Sequence, residues 1–275
     1  VLIGIDAAIG FPAPAWKQLM RFSSPIPENF ADFLFGKQLP PQFFDPVTTP
    51  DEWSPSRPFI RPPSGPWSRT AFNKASGNGI QREVDRKLAG NPIFITSGLP
   101  GSVGSGTRAL WMDLIAIDRV SNFSIWPFDG RLSSLLKSDL PVIAEIYPKA
   151  CYGIALADTL PTLPKPIAKT REQARCDAID QLLVAPWIAR EGLSIQDIDA
   201  ARLSEDDFDA MISAVALLRM FLQDLPLDTP ETIEPIAEGG VLGISCLKMS
   251  KKKSTRRKSA SRKRSKKPAA VQKTY

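Results

Sequence analysis

The sequence predicts an α/β layered domain, and three features carry that prediction. Two apolar runs, "VLIGI" at the start and "PVIAEIYP" at 141–148, do not alternate with polar residues and read as strands buried on both faces. Helical periodicity fills much of the chain between and after them. The stretch "SEDDFDAMISAVALLRMFLQ" is the most amphipathic of these, nearly all apolar beyond Met211, and is expected to pack on the sheet.

Taken in order, the first strand spans residues 1–6 and ends on Asp6, before a turn at Gly10 and Pro12. Residues 12–70 are rich in Pro, Phe, Trp and Ser; "SRPFIRPPSGPWSR" has few helix or strand signals and reads as extended loop. The region is expected to be an insertion lying over the core. Residues 80–89 predict a short helix with Ile80, Val84 and Leu88 on one stripe and Gly90 as its stop. The four glycines from Gly98 to Gly106 read as a connector, because a phosphate-cradling loop of the P-loop kind would need a following Lys-Ser/Thr. "TRALWMDLIAIDRV" predicts a helix over 107–120, "NFSIW" a strand and "PFDGR" a turn. "TREQARCDAIDQLLVAPWI" reads as one helix. Ser204 is the expected N-cap of the closing helix, with Asp207 as its capping-box acid, and "EGGVLGISCL" the last short strand.

Charge divides the chain. Residues 248–275 hold 13 of the 35 Lys+Arg and no acid, which leaves 22 basic residues against all 29 Asp+Glu in residues 1–247. The body is acidic and the tail is a Lys/Arg-rich segment with no apolar periodicity, expected to be disordered and to bind nucleic acid through phosphates. There is no His, which removes Ser-His and Cys-His nucleophiles and His-based metal sites. The three cysteines fit no zinc or redox spacing and read as free thiols. No run reaches the roughly 20 apolar residues of a membrane span, and the start lacks a signal peptide's basic region. The expected setting is cytoplasmic, with nucleoid association open and no membrane partner.

Three places set carboxylates against apolar surface: Asp6 after the first strand, Glu145 inside the second, and Asp206 with Asp209 on one face of the closing helix. Converging carboxylates repel unless some are protonated or a divalent cation joins them. Oxygen ligands suit Mg²⁺ or Mn²⁺, and such ions cleave phosphodiesters without His or Cys. Each acid also has a bland role, as a turn, cap or ion-pair residue; their order, strand-Asp, strand-Glu, helix-Asp, favours the joint reading.

"IGIDAAIGFP", "REVDRKLAG", "VIAEIYPKA", "DDFDAMISAVAL" and "EGGVLGI", in that order, resemble the predicted RNase H-like nuclease family catalogued as domain of unknown function 429. The resemblance covers about residues 1–245 and is weakest in the Pro-rich part, which is larger than expected after a first strand. It implies an RNase H-like fold, a mixed five-stranded sheet flanked by helices over residues 1–247, with the Pro-rich insertion at about 12–70 and the tail at 248–275. It implies a catalytic, metal-binding set of Asp6, Glu145, Asp206 and Asp209, with Asp207 as an alternative for one of the helix pair. Arg82 and Arg86, in an R-x-x-D-R stretch with Asp85, and Lys169 and Arg175 after the Glu strand, become candidate substrate-binding residues. The implied activity is a metal-dependent nuclease; the alternative is a nucleic-acid-binding protein that keeps the fold without catalysis.

Overall fold

The computed structural model of the protein describes residues 1–37, 39–62, 68–96, 102–225, 227 and 234–248. Three strands form its sheet: β1 (Leu2–Ile5), β2 (Ser124–Trp126) and β3 (Val142–Glu145), in the order β1-β3-β2 with both pairings parallel. Before β2 come α1 (Ala13–Leu19), α2 (Phe30–Phe35), α3 (Arg69–Ala75), α4 (Glu83–Lys87) and α5 (Val103–Asp118). Between β2 and β3 lies α6 (Leu132–Leu135). After β3 follow α7 (Pro148–Leu156), α8 (Glu172–Leu183), α9 (Pro186–Arg190), α10 (Asp199–Leu203), α11 (Glu205–Leu222) and α12 (Pro235–Glu238).

The expected five-stranded, mixed, RNase H-like sheet does not form. Of the described residues 45% are helical and 8% are in strands or bridges, and their sheet has three strands, all parallel. The physical reason lies in the residues after β1, where further strands would have to begin. Pro12, Pro14, Pro25, Pro27, Pro40, Pro41, Pro46 and Pro50 cannot donate to a ladder. Among the described residues only isolated bridges form there: Val47 with Ile60, Ser54 with Arg57, and Ile60 with Ile95. "EGGVLGISCL" is not a strand either: it meets β3 through one bridge, Glu145 with Val241, then winds into a 3-10 turn at Ile244–Cys246.

The Pro-rich stretch is more than an extended cover. It folds α1 and α2 and gathers an aromatic core of its own, in which Phe11, Phe30, Phe33, Phe43 and Phe59 are buried with Phe94 and Trp111. Phe30 lies 4.8 Å from Trp111 and Phe11 5.0 Å from Phe94, between ring centres. Each fully buried ring contributes about 1.5–3 kcal/mol by leaving water. The Trp111 indole N–H donates to the Ala8 carbonyl at 2.8 Å, so this lobe is fastened to the segment that leaves β1.

A second core joins β3, α7, α8, α9 and α11 through Ile154, Ile179, Leu182, Trp187, Phe208, Ile212 and Met220. α11 matches its expected span, and the Ser204 side chain accepts the Asp207 N–H as its cap. Arg219 is buried on α11, with its Nη1 donating to the carbonyls of Ile154 and Ala157 at the end of α7. The helix expected across 170–188 breaks in two, because Pro186 has no N–H to continue α8 and instead starts α9. α5 begins earlier than expected, at Val103, with the Ser102 hydroxyl accepting the Ser105 N–H. Gly104 is therefore helical, and a Cβ there would meet the Ile95 carbonyl oxygen at 2.4 Å. The rest of the expected glycine-rich connector, 97–101, and all but Lys248 of the expected disordered tail lie outside the described residues. No helix among the described residues is long and apolar enough to cross a membrane.

Candidate active site at the carboxyl ends of the strands

In the register of β1 on β3, Ile5 stands opposite Glu145. Both strands run the same way, so the chain leaves them at one edge of the sheet, the edge where open α/β sheets bind ligands. A cleft of about 360 Å³ opens there. Its lining includes Asp6 after β1, Glu145 at the end of β3, Arg82 and Asp85 from α4, Lys169 from the loop before α8, and Asp206 and Asp209 from α11. Gly90, Asn91, Ile93, Val103 and Tyr147 also line it.

The floor is an ion-pair cluster centred on Arg82, which is 1% exposed. Its Nη1 and Nη2 donate to Glu145 Oε2 at 2.7 Å and Oε1 at 2.6 Å. Its Nε and Nη2 donate to Asp85 Oδ2 at 3.1 Å and Oδ1 at 2.7 Å. A fifth bond runs from Nη1 to the Glu238 carbonyl at 3.2 Å. Glu145 Oε2 also accepts the Ile9 N–H at 2.8 Å. Burial pushes the Glu145 carboxyl up from its ordinary value, and Arg82 works against that shift. The Glu238 carboxylate accepts N–H groups from Ala13 and Glu83, tying the starts of α1 and α4 together behind the floor.

The wall on the α11 side is different. Asp209 accepts hydrogen bonds from Tyr152 Oη and from Lys169 Nζ. Burial works against the Lys169 charge, but the bond and the charge of Asp209 raise its pKa overall, so it stays an ammonium. Burial and the bond to Asp209 raise the Tyr152 hydroxyl, which stays protonated. Asp6 reaches the water of the cleft yet has protein on most sides. That desolvation, with the charge of Asp209, raises its pKa to about 6 against the pull of Lys169.

The cleft thus brings together Asp6, Glu145, Asp206 and Asp209 from the expected acidic set, with Arg82 and Lys169 from the expected cationic set. Arg86 and Arg175 are not part of its lining. Arg86 is exposed and its Nη1 donates to the Gln81 carbonyl at 2.8 Å. Arg175 is buried on α8 and bonds three backbone carbonyls. Asp207 is exposed on α11 and its N–H completes the Ser204 cap. Sequence reasoning missed Tyr152 and Glu238. The only signal for Tyr152 was its place four residues beyond Pro148, on the helix that follows the Glu strand; Glu238 opens the quoted "EGGVLGI" stretch, whose glutamate was given no role.

Among the described residues, no three Asp, Glu or Cys side chains are gathered closely enough to hold a metal ion. Glu145 is committed to Arg82, and Asp209 to Lys169 and Tyr152. Asp6 and Asp206 face the cleft without a hydrogen-bond partner among the described residues. The residues therefore do not fit a cage of four carboxylates. Mg²⁺ keeps several waters and takes one or two carboxylates together with substrate phosphate, and Asp6 and Asp206 are the carboxylates of the cleft left open for such an ion. No protein-family model, no curated protein and no solved structure matches this chain.

Proposed function

We propose that the cleft hydrolyses phosphodiesters of nucleic acid, with Asp6 and Asp206 as the carboxylates that hold a divalent cation, Mg²⁺ or Mn²⁺. One observation carries the reading: two unpartnered carboxylates and a protonated lysine line one cleft at the carboxyl ends of parallel strands. Bound there, the cation would offset the crowded carboxylates and polarise a phosphoryl group. Lys169 holds its proton at Nζ beside the cleft, where an ammonium pairs with a phosphate oxygen. Asp209, itself held by the Tyr152 hydroxyl, keeps that ammonium in place. The Arg82 cluster fixes the ends of β3 and α4, and so the spacing between the two walls. The 13 Lys+Arg of residues 248–275 supply affinity for a polyanion that the acidic body does not.

The test is cleavage of single-stranded, duplex, hybrid and branched substrates with Mg²⁺ or Mn²⁺. Wild type is compared with Asp6→Asn and Asp206→Asn, whose circular dichroism should match it. Loss of cleavage in both supports the assignment; wild-type rates in both reject it. Glu145→Gln is a poor probe, because it disturbs a buried ion pair.

A second reading is favoured by the pairing of Glu145 and Asp209 with cations: the protein binds nucleic acid and does not cut it. Binding would then survive chelation and Asp6→Asn, and be lost on removal of residues 248–275.

A further inference from the structure

Arg175 stands away from the cleft, yet its bonds converge on the parts that build it. It is 5% exposed. Its Nη1 donates to the Lys169 carbonyl at 2.6 Å. Its Nε and Nη2 donate to the carbonyls of Arg202 at 2.9 Å and Leu203 at 2.8 Å. Lys169 belongs to the loop before α8. Arg202 and Leu203 end α10, and the next residue, Ser204, caps the helix that carries Asp206 and Asp209. One guanidinium therefore spans the loop that holds the cleft's lysine and the turn that launches its acids.

We infer that Arg175 is a positioning residue, which sets Lys169 against Asp209 by clamping the Lys169 backbone to the start of α11. A planar fork suits this task, because it reaches carbonyls on two segments at fixed angles, whereas a single ammonium offers no such plane. None of the three bonds goes to a carboxylate. Three carbonyl dipoles offset a buried charge less well than an acid partner does. The arrangement fits a residue selected for the angle between two segments. What Lys169 does in catalysis rests on the function proposed above; its placement by Arg175 does not.

The experiment is lysine acetylation of the full chain with an N-hydroxysuccinimide ester, followed by peptide mass spectrometry. Initial rates at Lys169 are read against Lys165 and the exposed Lys74 in wild type, Arg175→Lys, Arg175→Gln and Asp209→Asn. The Asp209 variant removes the partner itself and calibrates the response. The expected result is faster labelling of Lys169 in all three variants by about threefold or more, since half a unit of acidity changes the free-amine fraction about threefold. Lys165 and Lys74 should keep their rates. The inference is overturned if Lys169 labels at the wild-type rate in both Arg175 variants. It is overturned equally if all three lysines speed up together, for Arg175 would then hold the fold and not the pair. If the labelling result holds while Asp6→Asn and Asp206→Asn still cleave, the clamp stands and the phosphodiesterase reading falls.

Discussion

Replacing Arg82 by Met tests the floor of the cleft. The change removes five donated hydrogen bonds and the one positive charge that faces Glu145 and Asp85. Those acids are 6% and 9% exposed, so water does not take the place of the guanidinium. Breaking a buried ion pair from one side costs about 3–5 kcal/mol, a large part of a typical total stability of about 5–15 kcal/mol. The stranded carboxylates lower that cost by taking up protons, which gives the loss a pH signature. In the variant, the folded state binds protons more tightly than the unfolded chain. Its stability therefore falls as pH rises, and the gap from wild type closes as pH falls toward the ordinary carboxylate range.

Urea unfolding of both proteins at pH 5, 6, 7 and 8 measures this. The expected outcome is a deficit of about 3–5 kcal/mol at pH 8 that shrinks steadily toward pH 5. Arg82→Lys should fall between, since a single ammonium cannot serve both acids with paired bonds. A deficit below about 1 kcal/mol at pH 8 would be the size of an exposed pair and would refute the buried-cluster reasoning. A deficit of full size that ignores pH would refute the part assigned to charge.

Asp6→Asn should raise the melting temperature at pH 8, because ionised Asp6 is held in a site that lifts its pKa from 3.8 to about 6. The gain is full above pH 6, shrinks as pH falls through the range between 6 and 3.8, and is gone only below 3.8, where Asp6 is protonated in both states; thermal melts from pH 8 down to about pH 3 check it. Gly104→Ala should cost about 1–3 kcal/mol in urea unfolding, because the new Cβ meets the backbone of Ile95, with its carbonyl oxygen at 2.4 Å, and neither helix nor loop can yield cheaply. Ser204→Ala removes the cap of α11 and should cost about 1 kcal/mol by the same measurement.

How much of this was legible follows from the range of each interaction. β3 and α11 were readable because a buried strand and an amphipathic helix announce themselves over a few residues. β1 was readable as a strand but not as one buried on both faces: it lies at the edge of the sheet, none of its residues is buried and Ile3 is exposed. The nearness of Asp6, Glu145, Asp206 and Asp209 was inferable from strand ends and helix starts. Their partners were not. Arg82 reaches Glu145 across 63 positions and Lys169 reaches Asp209 across 40, and nothing local marks either pairing. Arg175 was a candidate phosphate ligand through the K-T…R stretch that the resemblance picks out after the Glu strand; in the fold it is buried and turned onto carbonyls. The sheet was overcounted for the opposite reason. Motif order suggested five strands, while the prolines after β1 argued locally against any ladder there. Local chemistry won, and the Phe and Trp residues among those prolines made a core without strands.

The charge of the cleft gives a sharper test of the proposed chemistry than any substitution. Asp6, Asp85, Glu145, Asp206 and Asp209 line it with Arg82 and Lys169, an excess of three negative charges when every acid is ionised. At about 8 Å and an effective dielectric of about 20, each unpaired charge opposes a phosphodiester by about 2 kcal/mol. A phosphodiester therefore has no electrostatic reason to enter this cleft unaided, and a divalent cation would remove two of the three excess charges. Bis(p-nitrophenyl) phosphate, a small diester that the basic tail cannot tether along a chain of phosphates, isolates the effect. Its binding to the full chain should be undetectable in chelator and should appear with Mg²⁺ or Mn²⁺, but not with Na⁺ at matched ionic strength. Raising the pH from 5 to 8 should increase the cation requirement, as Asp6 ionises through about 6. Binding of the diester in chelator, unchanged by added Mg²⁺, would mean that the acids of the cleft are silent partners of Arg82 and Lys169 and that phosphate chemistry belongs elsewhere on the protein.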